Sequence, residues 1–243
     1  EIRLSLVGSE MCIRDSTVLN HLYRGDQCDM TRLAAEIVPV TPFQQNCCIL
    51  FDVEEKRGVV VDPGGDVDDI VAAIDKAGVF IEAIWLTHGH IDHAGGAMDL
   101  KERLAGIDIV GPHRADEFLM QRIEDQAAMF GVGAGYRNAT PDRWLVDGDA
   151  LAIGPHRFEI IHAPGHSPGH VVFFQPEARF LHAGDVIFAG SIGRTDLPGG
   201  DHATLIDTIR TRILPLGDDV GFICGHGPGG RLGQERLTNP FIR

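Results

Sequence analysis

This 243-residue sequence predicts an α/β fold: two mixed β-sheets with helices outside them. Three observations carry that reading. Each half of the chain opens on closely spaced β-rich runs of the kind that pair as hairpins. Strand–helix–strand units then follow in each half. Finally, every chemically conspicuous residue falls on a turn just after an expected strand, where a rigid scaffold can hold a reactive group.

Taken in order, the first half has β-rich runs at 36–40, 47–52 and 58–62, the last broken by Pro63-Gly64-Gly65. Over 67–77, Ile70, Val71, Ile74 and Ala77 recur at helical spacing, and Gly78 stops the helix. A strand at 81–86 runs directly into a histidine-rich turn. Beyond it, 97–105 reads as a helix with Met98 and Leu104 inward, followed by a strand at 107–110 and a helix at 115–123. A long Gly-rich connection is expected over 124–142. In the second half, strands are expected at 150–153, 157–162, 170–175 and 179–183, then a Gly-rich loop over 189–201. A helix at 203–213 places Leu205, Ile209 and Ile213 on one face, and a last strand spans 220–224. No Pro/Ser-rich linker divides the chain, so residues 36–243 are expected to form one domain.

Composition narrows the function classes. A hydrophobic fraction of 44% with 23% charged residues is ordinary for a globular chain with a real core. A net charge of −14 argues against nucleic acid as a partner, because phosphate binding needs a basic face. No apolar run approaches the roughly 20 residues of a membrane span. Cys12, Cys28, Cys47, Cys48 and Cys224 show no C-x-x-C spacing, so reduced thiols and a cytoplasmic setting are expected. Residues 6–16 resemble the in-frame translation of a sequencing-library adaptor, so 1–16 are set aside as a non-native segment. Residues 17–35 are read as an N-terminal extension in which Met30 is a candidate true start. They lack the basic and apolar regions of a signal peptide.

The chemistry is concentrated in Thr87-His-Gly-His-Ile-Asp-His-Ala-Gly-Gly96, where His88, His90, Asp92 and His93 put three imidazoles and a carboxylate within six residues. Pro164-Gly165-His166, Gly184-Asp185 and Gly225-His226-Gly227 each add one donor. Imidazole with carboxylate suits zinc, iron or manganese, whereas calcium and magnesium prefer oxygen alone. Seven donors exceed one tetrahedral ion, and a pair of ions sharing a carboxylate uses them all. His88 and His90 can point the same way from an extended loop, and Asp92 and His93 point to a neighbouring position one turn later. His166 then joins the first pair, His226 the second, and Asp185 bridges. Such a pair, roughly 3.5–4 Å apart, acidifies a bridging water and clamps the attacking and departing atoms. The pattern points to a two-metal hydrolase in which Asp92 and Asp185 are the catalytic carboxylates.

Neighbouring residues receive lesser roles. Asp62, before Pro-Gly-Gly, either orients a metal-bound histidine or simply forms the turn. His170 is expected to support a ligand or start a strand. Arg194 either contacts substrate or pins the 189–201 loop through Asp196, for which the structural role is favoured. His113, His156, His162 and His182 are read as structural or surface residues, and Asp66 to Asp69 as a helix N-terminus.

His88-x-His90-x-Asp92-His93, with the later His166, Asp185 and His226, resembles the ligand set of the metallo-β-lactamase-fold superfamily. Phe188-Ala-Gly-Ser-Ile-Gly-Arg-Thr-Asp-Leu-Pro-Gly-Gly-Asp201 and Phe222-Ile-Cys-Gly-His-Gly-Pro228 look like its glyoxalase II-like, hydroxyacylglutathione hydrolase branch. The similarity spans about residues 36–243. It implies an αββα sandwich with the metals at one edge. It assigns His88, His90 and His166 to one ion, Asp92, His93 and His226 to the other, and Asp185 to both. The expected cofactors are two divalent ions, zinc first, with iron or manganese as alternatives.

The reaction implied is thioester hydrolysis by a metal-bridging hydroxide, with S-lactoylglutathione the first substrate expected among S-(2-hydroxyacyl)glutathiones. A thiol of pKa near 8.5 leaves as thiolate without a dedicated acid. The longer family members carry C-terminal basic and aromatic contacts to glutathione that do not occur here up to Arg243. Neither Tyr23 nor Tyr136 matches their loop contacts, and Arg194 stands where they place a basic residue. The rival enzyme is a persulfide dioxygenase of the same fold, with one iron on His88, His166 and Asp185 and a similar Gly193-to-Asp196 stretch. A β-lactamase is disfavoured by Asp185, a nuclease by the net charge. A non-catalytic or flavin-partnered module is disfavoured by the open metal position and by the lack of a second domain for flavin.

Overall fold

The computed structural model describes residues 32–133 and 135–243. The adaptor-like stretch, Cys12, Tyr23, Cys28 and Met30 lie outside the described residues. Strands Leu33–Val40 (β1), Gln45–Asp52 (β2) and Arg57–Val61 (β3) pair antiparallel, with β1 and β2 in register from Leu33↔Asp52 to Val40↔Gln45. Helix α1 (Val67–Ala77) then carries the chain to Phe80–Trp85 (β4), parallel to β3. Gly78 ends α1 in the left-handed region at φ 62°, where glycine meets no steric penalty. After Ile91–Ala94 (α2) and Ala97–Arg103 (α3) come Asp108–His113 (β5), Glu117–Met120 (α4), Ile123–Phe130 (α5) and Arg143–Leu145 (β6). β4, β5 and β6 run parallel, giving a mixed six-stranded sheet in sequential order.

The second sheet contains Ala150–Ile153 (β7), His156–His162 (β8), Val171–Gln175 (β9) and Phe180–His182 (β10), a run of antiparallel neighbours. Ile187–Phe188 (β11) and Ser191–Ile192 (β12) form a separate small hairpin. Helix α6 (His202–Thr208) begins at Asp201, whose side chain accepts the Thr204 N–H at 2.7 Å, and widens into a π-type turn at Ile209–Ile213. Gly221–Ile223 (β13) joins β10 in parallel, Gly230–Arg231 (β14) pairs with β13, and α7 spans Leu232–Thr238. The order is β14-β13-β10-β9-β8-β7.

Layering follows from side-chain alternation on strands buried on both faces. Val59 and Val61 point into the core between the sheets, with Trp85, Phe158, Phe173 and Phe180, while Val60 faces Ile70, Ile74 and Leu100 of the helices. On β9, Val171 and Phe173 face inward, and Val172 and Phe174 pack under Leu205, Ile209 and Leu232. Two mixed sheets with helices outside are therefore what the chain builds, as expected.

The departures are local. The expected connection over 124–142 holds all but the first residue of α5, because Ile123, Gln126 and Ala127 form a buried helical face ahead of Gly131, and the unanticipated β6 follows it. The 189–201 loop includes β12, and the α7 and β14 elements were not anticipated. No helix among the described residues is long and apolar enough to cross a membrane.

Candidate metal centre

The ends of β3 and β4 establish the first donor loop. Asp62 follows β3 and accepts the Thr87 N–H at 2.7 Å and the Thr87 hydroxyl at 2.6 Å, fixing the turn after β4. From that turn come His88 and His90, the latter in extended backbone, and Asp92 and His93 sit in the first turn of α2. His166 follows β8, Asp185 follows β10 and His226 follows β13. Both sheets thus deliver donors from the C-terminal ends of their strands.

All seven converge. His166 Nε2 lies 2.9 Å from His90 Nδ1 and 3.2 Å from His88 Nε2. Asp92 Oδ2 lies 3.2 Å from His226 Nε2 and 3.9 Å from His93 Nε2. Asp185 stands between the two groups, Oδ1 3.4 Å from His93 Nε2 and Oδ2 3.6 Å from both His166 and His226 Nε2. A third possible grouping, Asp62 with His88 and His93, has its carboxylate already committed to Thr87 and His93.

This donor set fits metal ions. His166 Nε2 faces two other ring nitrogens at 2.9 and 3.2 Å, and its single proton or lone pair cannot satisfy both, whereas ligands each about 2 Å from one ion lie at about that spacing. His93 Nε2 and Asp185 Oδ1 are buried without a hydrogen-bond partner. Burial lowers the His88 pKa and pushes that of His90 down to about 3, so both rings are neutral and offer lone pairs. Burial raises the Asp185 carboxyl, but His93, His166 and His226 outweigh it and hold it ionised, below the ordinary carboxylate range.

The far nitrogens of most rings are engaged, which orients them. His93 Nδ1 meets Asp62 Oδ2 at 2.9 Å, His88 Nδ1 meets Thr87 Oγ1 at 3.0 Å, and His166 Nδ1 meets the Arg194 carbonyl at 2.7 Å. His226 Nδ1 lies 3.2 Å from the Phe43 carbonyl. His170 does not join the donors. Its ring stacks on His88 and its Nε2 accepts the Asp185 N–H at 3.0 Å. Gly225 is needed for space: a Cβ there would collide with Asp185 Oδ1 and lie 2.6 Å from His93 Cε1.

A cleft of about 360 Å³ opens over the centre, with Phe43, Phe130, Phe188, Ile192 and Leu197 as apolar walls. Arg194 lines it too, but its guanidinium is gripped by Asp196 through two 2.7 Å contacts. Sequence reasoning passed over Asn46, whose amide donates to the carbonyls of Cys224 and Gly227 on either side of His226. It also passed over Asp116 and Gln126, which hydrogen-bond to the peptides of the first donor loop. A polar side chain serving backbone groups has no spacing signature. Its one sign is polarity on an otherwise buried strand or helix face.

The metallo-beta-lactamase superfamily model matches residues 40–226, more than half of the chain. The chain belongs to the metallo-β-lactamase superfamily. Within that superfamily it is 44% identical over 208 residues to hydroxyacylglutathione hydrolase GloC of Haemophilus influenzae, covering 85% of this chain and 97% of that one. The structure is similar to the BLEG-1 B3 metallo-β-lactamase, with a TM-score of 0.78 at 34% identity over 86% and 99% of the two chains. It is also similar to TTHA1623, solved in a di-iron-bound form, with a TM-score of 0.77 at 36% identity over 85% and 99%. The protein is a metal-dependent hydrolase of the metallo-β-lactamase superfamily.

Proposed function

We propose that this metallo-β-lactamase-fold hydrolase cleaves thioesters, with S-(2-hydroxyacyl)glutathiones such as S-lactoylglutathione as substrates and two divalent ions as cofactors, zinc first. The observation that carries the reading is the position of Asp185, within 3.4–3.6 Å of nitrogens from both donor groups, from which one carboxylate could serve two ions. The name of the GloC relative supports the substrate class, and the di-iron form of TTHA1623 supports a pair and keeps iron open.

His88, His90 and His166 would hold one ion, and Asp92, His93 and His226 the other, with Asp185 between. Bound ions supply a water acidified towards neutrality and a Lewis acid for the acyl oxygen. Phe43, Phe188, Ile192 and Leu197 hold the thioester against the centre and keep bulk water from it. Asp92, only partly buried beside His226, is placed to hold the proton released by the attacking water. The departing thiol, of pKa about 8.5, needs no protein acid. Arg194 is within reach of a substrate carboxylate if that group displaces Asp196. Cys47, Cys48 and Cys224, buried and unpaired, favour a reducing cytoplasm as the setting.

The test is hydrolysis of S-lactoylglutathione with metals quantified on the same sample. Turnover with two ions per chain, falling at least a hundredfold in Asp185→Ala, is expected. One iron per chain with oxygen consumed on glutathione persulfide, or faster turnover of a β-lactam, would overturn the reading.

A further inference from the structure

We propose that Asp116 is a positioning residue whose carboxylate sets the spacing between the two loops that bring His88, His90 and His166 together. The proposal rests on the reading of those three histidines as ligands of one ion.

The loops belong to different sheets. Residues 87–90 follow β4, whereas 166–170 lie between β8 and β9. Asp116 closes the short 3₁₀ turn after β5 and is completely buried. Its Oδ2 accepts the Gly89 N–H at 2.9 Å and the Ser167 hydroxyl at 2.7 Å, and its Oδ1 accepts the Gly169 N–H at 2.6 Å. One carboxylate therefore grips the peptide between His88 and His90, the hydroxyl next to His166, and the peptide preceding His170. The fit is close: a Cβ on Gly169 would lie 2.7 Å from Asp116 Cγ.

Gln126 completes the hold on one side only. Its Oε1 accepts the Ile91 N–H at 3.0 Å and its Nε2 donates to the Gly89 carbonyl at 3.3 Å. Gln126 thus fixes the first loop, and Asp116 ties it to the second. All three hydrogen-bond partners of Asp116 are neutral donors. A buried carboxylate without a cation is costly, and its retention here has a use that an apolar residue could not fill. Residues that orient ligands in this way are worth about ten- to a hundredfold in metal affinity.

The substitution that isolates the role is Asp116→Asn. The amide keeps the size but turns one acceptor into a donor, which must face an N–H or a hydroxyl. Cobalt(II) affinity by chelator competition, the visible cobalt spectrum and the Tm of metal-free protein should be measured together. His166→Ala and His226→Ala variants assign the bands of each site. Asp116→Asn is expected to weaken the three-histidine site about ten- to a hundredfold and shift its bands, with the second site within about threefold of wild type. Ser167→Ala should weaken the same site less, and it keeps the test open if the Asn variant does not fold. Wild-type affinity and spectrum at both sites, or parallel losses at both that track a lower metal-free Tm, would overturn the proposal alone. Wild-type protein that takes up no cobalt would overturn the metal reading and the proposal with it.

Discussion

Two oxygens of Asp62 meet three donors. The Thr87 peptide and hydroxyl occupy one oxygen each, and His93 Nδ1 shares the second at 2.9 Å. Both alternatives left open for this residue, turn former and histidine support, describe the same side chain. Asp62→Asn would set an amide N–H against Thr87 or His93, and is expected to weaken the Asp92/His93/His226 site about ten- to a hundredfold, read by chelator competition. Unchanged affinity would leave Asp62 with the turn alone. The convergence of the seven donors was legible because each sits in a short Gly-flanked motif after a strand. Asp116, Gln126 and Asn46 were not, because what they hold is backbone, which looks alike at every position. For Arg194 the sequence left two roles open, substrate contact or an ion pair with Asp196, and the structure shows that pair on a residue that also lines the cleft.

Elements were read best where burial imposes a period. The helix at 67–77 and the strand at 150–153 stand where expected, since apolar spacing and Gly78 mark their limits. Helix α5 was hidden by the glycines that follow it, although Ile123, Gln126 and Ala127 carry the helical spacing. At the opposite end of the sheets, the turn after β2 is tied to β8. Asp52 Oδ1 accepts the N–H groups of Glu54 and Glu55, and Oδ2 meets His156 Nε2 at 2.9 Å. Burial raises the Asp52 carboxyl, but these hydrogen bonds and Arg32 outweigh it, so its folded pKa lies below the ordinary value. The resulting stabilisation is present above about pH 4 and is lost as pH falls through the lower folded value. In metal-free protein, the stability gap between wild type and Asp52→Asn should therefore shrink between about pH 5 and 3 in urea titrations. A gap that stays constant would show that Asp52 acts by geometry alone.

At the scale of the whole molecule, two sheets meet over Trp85, whose ring packs 5.2 Å from that of Phe158 and 5.3 Å from that of Phe173. Such rings, buried on both sides, bring the sheets together without any ion. The candidate centre sits where the sheets' strand ends meet, so ions there add to the same contact. Removing them with a chelator is expected to lower Tm on the order of 10 °C, and zinc should restore it. An unmoved Tm would mean that the ions bind equally well to the unfolded chain or not at all.

The division of donors between two sheets also has a consequence for biogenesis. The histidine-rich turn at 88–93 is synthesised early, but the remaining donors arrive only at His166, Asp185 and His226, the last after β13. A growing chain therefore holds four donors long before it can close either group. Any ion taken up at that stage sits on an incomplete, exchangeable set. With the proposed ligand set, secure loading would wait until β13 has docked beside β10, a late step of maturation open to competition from whichever divalent ion the cell then supplies in greatest excess.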